Sequence, residues 1–268
     1  MKTILIAITA ALASVAGAQT VSIKGSDTLG AKLIPQLAEG FKAFAKSNLN
    51  FEIAAEGSST AFPALANGTA QIGMSSRKIK EEEITSARTK GVVLQEYAIC
   101  HDMLVVITNK GNPLSKLTKD QVNKIFTGQA KDWAEVGGLP GKISVYTRNT
   151  SSGTYKDWQS LAMGGRDYPS SSQKLAGNEQ IAQEVSTNKN GVGYVGLPYA
   201  KAQGIKALPI DGVPPEAKNA RTYVYARECY LYIPEKASAE TQAFLEYIKS
   251  PAGQEIIRKV GFIPNADL

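Results

Sequence analysis

A strand that runs through a small polar turn into a helix recurs three times near the amino end of the chain. The three turns are Gly25–Thr28, Gly57–Thr60 and Ser75–Arg77. Short apolar stretches of strand character precede each turn, and helix-like segments follow. Alternation of strand and helix is typical of an α/β fold, with a mostly parallel sheet and helices on its faces.

The carboxyl ends of parallel strands lie at one edge of the sheet, where open α/β sheets bind their ligands. Two of the three turns feed a helix start, whose unpaired amide hydrogens favour anions. The turns therefore predict an anion site at this edge. The predicted strands here are Val21–Lys24, Phe51–Ala55 and Ile72–Met74, and the predicted helices are Leu29–Ser47, Ala61–Ala66 and Lys80–Arg88.

A second anion-binding pattern is the heptapeptide Arg148–Thr154, with the sequence Arg-Asn-Thr-Ser-Ser-Gly-Thr. Apolar residues at helical spacing in Tyr155–Met163 place its Ser-Gly-Thr at a helix start. Hydroxyl and amide donors there, together with the forked donors of an arginine, suit a tetrahedral anion. An ordinary helix cap is the alternative interpretation, since serine and threonine are common caps.

The rest of the chain predicts a second α/β unit. The apolar strand Ala98–Asn109 enters this unit and Tyr223–Pro234 leaves it, after which the tail returns to the first unit. Further strands are predicted at Ile143–Tyr146 and Val192–Gly196, and further helices at Lys119–Phe126, Glu179–Thr187, Ala239–Lys249 and Pro251–Val260.

The amino terminus has the pattern of a secretory signal peptide. Lys2 gives a basic start, Ile4–Val15 is a short apolar run, and Ala16–Ala18 is a small-residue cleavage site. We therefore predict that residues 1–18 are removed and that the exported, periplasmic chain begins near Gln19. The residue directly after the cleavage site is not a cysteine, which argues against a lipid anchor.

The formal net charge of +6 is spread over 268 residues without a dense basic block. This weakly favours anionic small molecules, and we expect no nucleic-acid partner. Cys100 and Cys229 both lie in predicted strands, and two cysteines in an exported chain can pair. We predict a disulfide between them, with two buried free thiols as the alternative.

A secreted phosphoester hydrolase is the alternative of a different class, but the sequence argues against an enzyme. His101 is the single histidine, and neighbours within Cys100–Asp102 point to opposite faces of a strand. We expect no metal and no cofactor, and a structural role for His101. Gly191–Gly196 matches a dinucleotide fingerprint by letter, but the polar Ser186–Asn190 precedes it instead of a strand, so we predict a glycine-rich strand near the cleft.

Taken in order, the motifs resemble those of the periplasmic phosphate-binding proteins that serve ABC transporters, specifically the shorter branch of that family. The resemblance covers the whole predicted mature chain. It is carried by Gly25–Leu29, Gly57–Thr60, Ile72–Arg77, Leu117–Trp133, Arg148–Thr154, Gly191–Tyr194, Ser250–Gln254 and Gly261–Pro264.

This resemblance implies a two-lobed type II periplasmic binding protein fold with two hinge-crossing strands, which we place at Ala98–Asn109 and Tyr223–Pro234. Lobe 1 would comprise residues 19–104 and 226–268, and lobe 2 residues 105–225. Side-by-side hinge strands would bring Cys100 and Cys229 close together. The implied partners of the monomer are inorganic phosphate and the membrane permease of an ABC phosphate transporter.

The phosphate ligands implied by the resemblance are Thr28, the Leu29 amide, Ser58, Ser76, Arg148, Ser152, Gly153 and Thr154. Further candidates are Ser26, Asp27, Ser59, Arg77 and Asp102.

Two departures from the longer branch of the family bear on selectivity. That branch has aspartates at the positions of Ser76, to accept the ligand proton, and of Thr150, to pair with the arginine. Without an acceptor the site would favour fully ionised anions such as sulfate. A binding protein for another oxyanion, namely sulfate, arsenate or molybdate, is therefore kept as an alternative. Asp27 and Asp102 are the candidate acceptors. The alternative interpretations are that Asp27 is a plain turn residue and that Asp102 only caps a strand. Arg77 is either a second cleft cation or a surface arginine.

Overall fold

The computed structural model describes residues 19–268, so the predicted signal peptide lies outside the described residues. Within that range, no helix is long and apolar enough to cross a membrane. The first elements in chain order are β1 (Thr20–Gly25), α1 (Asp27–Gly30), α2 (Leu33–Ala45), β2 (Asn50–Ala54), α3 (Ser58–Ala66), β3 (Ile72–Ser75), α4 (Glu81–Thr89) and β4 (Leu94–Asn109).

The later elements return the chain to where it began. They are α5 (Lys119–Phe126), β5 (Ser144–Arg148), α6 (Gly153–Leu161), β6 (Gln173–Leu175), α7 (Asn178–Thr187), β7 (Gly191–Gly196), β8 (Ile205–Ala207), β9 (Ala226–Pro234), α8 (Ala239–Lys249), α9 (Pro251–Val260) and β10 (Ile263–Pro264). Short 3-10 turns start at Trp133, Leu197, Ala217 and Asn265.

The strands form one mixed sheet with the main order β2-β1-β3-β9-β4-β7-β5-β6, and β8 and β10 also pair with β4. β4 is 16 residues long and serves two neighbourhoods. Its residues 94–103 pair with β9, whereas residues 104–109 pair with β7 and β8. We call the strands on the β9 side the first region and those on the β7 side the second region, so β4 runs through both.

The outer strands of each region are parallel, as the sequence predicted: β1 pairs with β2 and β3, and β5 pairs with β6 and β7. Every antiparallel strand pair contains β4 or β9. The prediction of a mostly parallel sheet is therefore wrong at the centre. The physical reason is that β4 and β9 carry the chain between the regions in opposite directions.

Each region has its own hydrophobic core. The first core holds buried residues from Val21 to Cys100 and from Cys229 to Phe262. The second core runs from Met103 to Tyr225, with Ile263 added. A smaller cluster around Phe62 and Tyr232 packs α3 against the first region.

Gly25 sets the close spacing at the end of β1. Its φ of +133° is strained for other residues, and a Cβ there would strike the carbonyl oxygen of Met74 on β3. The adjacent Ser26 amide donates to that same oxygen at 2.8 Å. The glycine thus lets β1 turn abruptly, and the chain places Asp27 and Thr28 at the sheet edge in the short helix α1.

Cys100 and Cys229 are directly opposite each other on β4 and β9, as expected for neighbouring strands. Both are fully buried free thiols, so the predicted disulfide is wrong. Burial raises the pKa of the Cys100 thiol well above its ordinary value, and the neighbouring Cys229 adds to the shift. Because only the thiolate attacks in disulfide chemistry, this environment lowers the reactivity of the Cys100 thiol in the folded protein.

Candidate functional site

One wall of the candidate site comes from the second region. β5 ends at Arg148, and Ser152 caps α6 by accepting a hydrogen bond from the Tyr155 amide at 3.2 Å. Gly153 and Thr154 form the first turn of α6, where amide hydrogens have no helical partner. The cap interpretation is therefore correct, and Ser152, Gly153 and Thr154 are also buried, as a binding role would require.

The facing wall comes from the first region. Thr28 and Leu29 lie in α1, Ser58 is the first residue of α3, and Ser76 directly follows β3. All four are buried. The Ser58 hydroxyl accepts a hydrogen bond from the Ser76 amide at 3.1 Å, and this bond joins the polar turn at Ser58 to the one at Ser76.

The two walls meet through their hydroxyl groups. Thr28 Oγ1 and Thr154 Oγ1 are 3.0 Å apart, and Thr154 Oγ1 lies 3.5 Å from Ser76 Oγ. Ser76 Oγ is in turn 3.3 Å from Ser58 Oγ. A Cβ on Gly153 would strike Ser58 Oγ and come within 2.9 Å of Ser76 Oγ. The structure thus brings together residues that are up to 126 positions apart in the chain.

Arg148 is buried with a free donor. Its Nε and Nη2 donate to the Ala176 carbonyl at 3.1 and 2.7 Å, whereas its buried Nη1 has no hydrogen-bond partner among the described residues. Burial lowers the pKa of the guanidinium, and the carboxylate of Asp27 opposes that shift. The guanidinium is therefore held in place through Nε and Nη2, while Nη1 makes no hydrogen bond and only an ion-pair contact with Asp27 among the described residues, so its N–H donors could bind a ligand.

Asp27 supplies the counter-ion of Arg148 across the cleft. Its Oδ2 lies 3.3 Å from Arg148 Nη1 and accepts hydrogen bonds from the amide and side chain of Asn178 at 3.1 and 2.8 Å. Thr150, where the longer family branch has a carboxylate, is exposed. The partner that the sequence pattern lacked therefore comes from the facing wall.

Asp102 faces groups other than the hydroxyl cluster. Its Oδ1 accepts from the Leu197 amide at 2.9 Å, and its Oδ2 accepts from Arg227 Nη2 at 2.8 Å and Nε at 3.2 Å. Arg227, which sequence reasoning missed, also donates through Nη2 to Thr154 Oγ1 at 3.1 Å. A signal was present in the sequence, because two apolar strands predicted to be neighbours carry Asp102 on one and Arg227 on the other, although Glu228 follows Arg227 directly.

Asn178, the first residue of α7, was also missed. Its Oδ1 accepts from the Gly196 amide at 3.0 Å, which fixes the orientation of the side-chain amide. Its Nδ2 then donates to both Asp27 Oδ2 and Thr28 Oγ1. No spacing in the sequence singles out this residue.

The remaining candidates lie around this cluster. Arg77 forms a bidentate ion pair with Glu83 at 2.6 and 2.8 Å, so its charge is already compensated. Its Nη2 also donates to Ser59 Oγ at 3.3 Å. The hydroxyl of Ser26 is buried and has no partner among the described residues. Arg77 and Ser59 therefore form a support next to the cluster, rather than adding a free cation to it.

The side chains of Cys100, His101 and Asp102 do not converge on one site. Residues 19–268 contain no group of three or more His, Cys, Asp or Glu side chains that could hold a metal. His101 lies 3.7 Å from Glu228, whereas Cys100 is in the first core and Asp102 binds Arg227. Gly191–Gly196 is the fully buried strand β7, as predicted, and Gly196 lies beside Asp102 and Thr28.

The arrangement defines a class of protein: an α/β binding protein with a small oxyanion-type site, built from hydroxyl, amide and guanidinium donors between two sheet regions. Residues 11–252 match the family model described as a PBP superfamily domain. The chain belongs to this superfamily and, within it, to the family of phosphate-binding proteins of ABC transporters.

Named relatives and solved structures agree with this membership. The phosphate-binding protein PstS of Pseudomonas aeruginosa is 34% identical, over 91% of this chain and 82% of the relative. PstS of Bacillus subtilis is 29% identical, over 93% and 82%. A putative phosphate ABC transporter substrate-binding protein of Clostridium perfringens, solved with bound phosphate, is 31% identical, with a TM-score of 0.84 over 92% of this chain and 99% of that one.

Proposed function

We propose that the protein binds inorganic phosphate between two lobes outside the cytoplasm and delivers it to the permease of an ABC phosphate transporter. The observation that carries this proposal is the meeting of Thr28, Ser58 and Ser76 with the start of α6 beside the free Arg148 Nη1. The relatives, named for phosphate binding, support the choice of ligand. Export through the predicted signal peptide and a monomeric state are parts of the same proposal.

The proposed ligands are the hydroxyls and first-turn amides of the two walls together with the guanidinium. They are Thr28, Leu29, Ser58, Ser76, Arg148, Ser152, Gly153 and Thr154. A micromolar dissociation constant corresponds to about −8 kcal/mol. Hydrogen bonds to a charged ligand contribute on the order of 1.5–3 kcal/mol each, so such a set more than suffices before the costs of desolvation and closure.

We place lobe 1 at residues 19–104 and 226–268 and lobe 2 at residues 105–225. The two separate cores support these boundaries to within a few residues: they change over between Tyr225 and Cys229 and between Cys100 and Met103, so Met103, Leu104 and Ile263 of lobe 1 pack in the second core. A ligand that touches both lobes binds the closed arrangement better, and this difference in affinity drives closure. Asp27–Arg148 and Thr28–Thr154 would join the lobes in that arrangement.

Phosphate selectivity requires an acceptor for the ligand proton, and we assign it to Asp27. Both oxygens of Asp102 already accept hydrogen bonds, whereas the bonds of Asp27 are all made by Oδ2. Asp27 also adjoins the proposed ligand Thr28. The surplus of donors favours a second candidate function, the binding of a fully ionised oxyanion such as sulfate.

Calorimetric titration of the purified protein with phosphate, sulfate, arsenate and molybdate tests the proposal. We expect phosphate to bind at micromolar concentration or tighter and sulfate at least about tenfold more weakly, a gap of ~1.4 kcal/mol. Tighter sulfate binding would establish the second candidate function instead. A phosphatase assay with added divalent metals separates both from a hydrolase, and turnover there would contradict a binding role.

A further inference from the structure

Arg227 on β9 connects the two crossing strands, β4 and β9, to α6, the helix whose first turn belongs to the proposed anion site. It is the cross-strand partner of Asp102, close to where β4 passes from the first region to the second. Its side chain is 5% exposed, and its Nη1 donates to Asp157 on α6 at 3.2 Å. The Nε and Nη2 atoms on one edge of the guanidinium therefore donate to Asp102. Nη1 and Nη2 also donate to α6, at Asp157 and Thr154 respectively.

The contact with Thr154 fixes the direction of a proton. A threonine hydroxyl has one proton to donate and two lone pairs to accept with, whereas a guanidinium only donates. Thr154 Oγ1 therefore accepts from Arg227 Nη2 at 3.1 Å, and its own proton must point elsewhere. Thr28 Oγ1 and Ser76 Oγ, at 3.0 and 3.5 Å, are the other polar atoms in contact with it, and both belong to the proposed ligand set.

Thr28 on the facing wall is oriented in the same manner. Its hydroxyl accepts from Asn178 Nδ2 at 3.3 Å, and the Gly196 amide holds Asn178 in the orientation that makes Nδ2 the donor. Ser58 and Ser152 likewise accept from backbone amides. Thr28, Ser58, Ser152 and Thr154 thus each accept an N–H hydrogen bond from the protein, which leaves the hydroxyl proton available to donate to an anion, whereas Ser76 Oγ contacts only the hydroxyls of Ser58 and Thr154.

We propose that Arg227 is a positioning residue for anion binding: it aligns the Thr154 hydroxyl as a donor to the ligand and fixes the start of α6 to the crossing strands. This inference rests on the proposed function. Charge compensation of Asp102 would need only the Nε and Nη2 contacts. The additional bonds to Thr154 and Asp157 extend the fork to the ligand-binding helix.

A double-mutant cycle tests the proposal. Because removing Arg227 alone would leave Asp102 buried without its partner, the variant is the paired Asp102→Asn, Arg227→Met, measured with and without Thr154→Val. Phosphate affinity is measured by calorimetry up to millimolar ligand, and the melting temperature reports folding. Arg258→Met, an exposed arginine that pairs with Glu255 and Asp267, is the matched control.

We expect the paired variant to weaken phosphate binding about tenfold when Thr154 is present and less than about twofold when valine replaces it, because the effect passes through the hydroxyl. Equal losses in both backgrounds would mean a merely structural role and would overturn the proposal. An unchanged affinity in the paired variant would overturn it as well. If the unmodified protein does not bind phosphate, the proposed function itself fails, so the two failures are distinguishable.

Discussion

Arg148 and Arg227 are both buried next to the start of α6, yet the structure uses them differently. Arg227 is held by two carboxylates and a hydroxyl, and although burial opposes its charge, Asp102 and Asp157 raise its pKa above the ordinary value. Arg148 has one carboxylate neighbour and an Nη1 without a hydrogen-bond partner, and burial lowers its pKa. Burial alone therefore does not distinguish the two arginines, whereas the number of carboxylate and hydroxyl partners that hold each guanidinium does.

Gly153→Ala would give the largest change on the Arg148 side of this comparison. The added methyl would occupy the space against Ser58 and Ser76, while alanine suits a helix better than glycine. We expect phosphate affinity to fall about a hundredfold and the melting temperature to fall as well, because overpacking costs up to ~3 kcal/mol where these groups meet, more than the ~1 kcal/mol gained in helix propensity. Gly111→Ala, in an exposed turn, is the matched control, and full binding by Gly153→Ala would place the ligand elsewhere.

Arg148→Ala tests the free guanidinium directly. We expect binding to weaken at least about tenfold, because a charge-assisted hydrogen bond contributes ~1.5–3 kcal/mol. Titration calorimetry with phosphate measures the change, and Arg258→Ala controls for the loss of an arginine at the surface. An unchanged affinity would show that Arg148 does not bind the ligand and serves only to pair with Asp27 and the Ala176 carbonyl.

The carboxylates that face these arginines differ in the same way. Asp27→Asn should lower the ratio of phosphate to sulfate affinity about tenfold, because Asp27 is the proposed proton acceptor and one lost charge-assisted bond is of that size. Asp102→Asn should leave the ratio within about twofold and lower the melting temperature, because Arg227 loses its buried partner. If the ratio of phosphate to sulfate affinity is unchanged in both variants, the assignment of Asp27 as the acceptor of the ligand proton is wrong.

The cysteine pair on β4 and β9, in which Cys229 lies close to Arg227 in the sequence, is expected to have the smallest effect on phosphate binding, so its prediction concerns only its redox state. Cys100 and Cys229 are buried free thiols away from the hydroxyl cluster. Alkylation in denaturant without reductant should therefore add mass at both residues, while the folded protein resists labelling. The absence of a mass shift after unfolding would reveal a disulfide and restore the sequence-based prediction.

Local patterns in the sequence predicted the elements well, because periodicity and turn residues act over short distances. The helices Lys119–Phe126, Ala239–Lys249 and Pro251–Val260 match the predicted bounds. The three polar turns and Arg148–Thr154 were recognisable because each has an arrangement of donors of its own. The structure brings these groups together, and their role as phosphate ligands stays a prediction.

The contacts that were missed depend on register between distant segments. Arg227 reaches Thr154 because it lies opposite Asp102 on paired strands, with a register shift between Ala98 and Cys100. Arg77 looked available for the cleft, but Glu83, six residues later, pairs with it. Neither outcome follows from periodicity, since each is decided by which charged neighbour the fold brings within reach.

The place of β9 in the sheet, between β3 and β4, sets an order on how the chain can assemble. A chain that emerges amino end first makes the whole of Met103–Tyr225, and so nearly all of the second core, before residues 226–234 exist. The first core is completed only when β9 inserts between β3 and β4, which are synthesised before it. The segment synthesised in the middle is thus the one that can fold first, whereas the earliest residues stay incomplete until the last arrive.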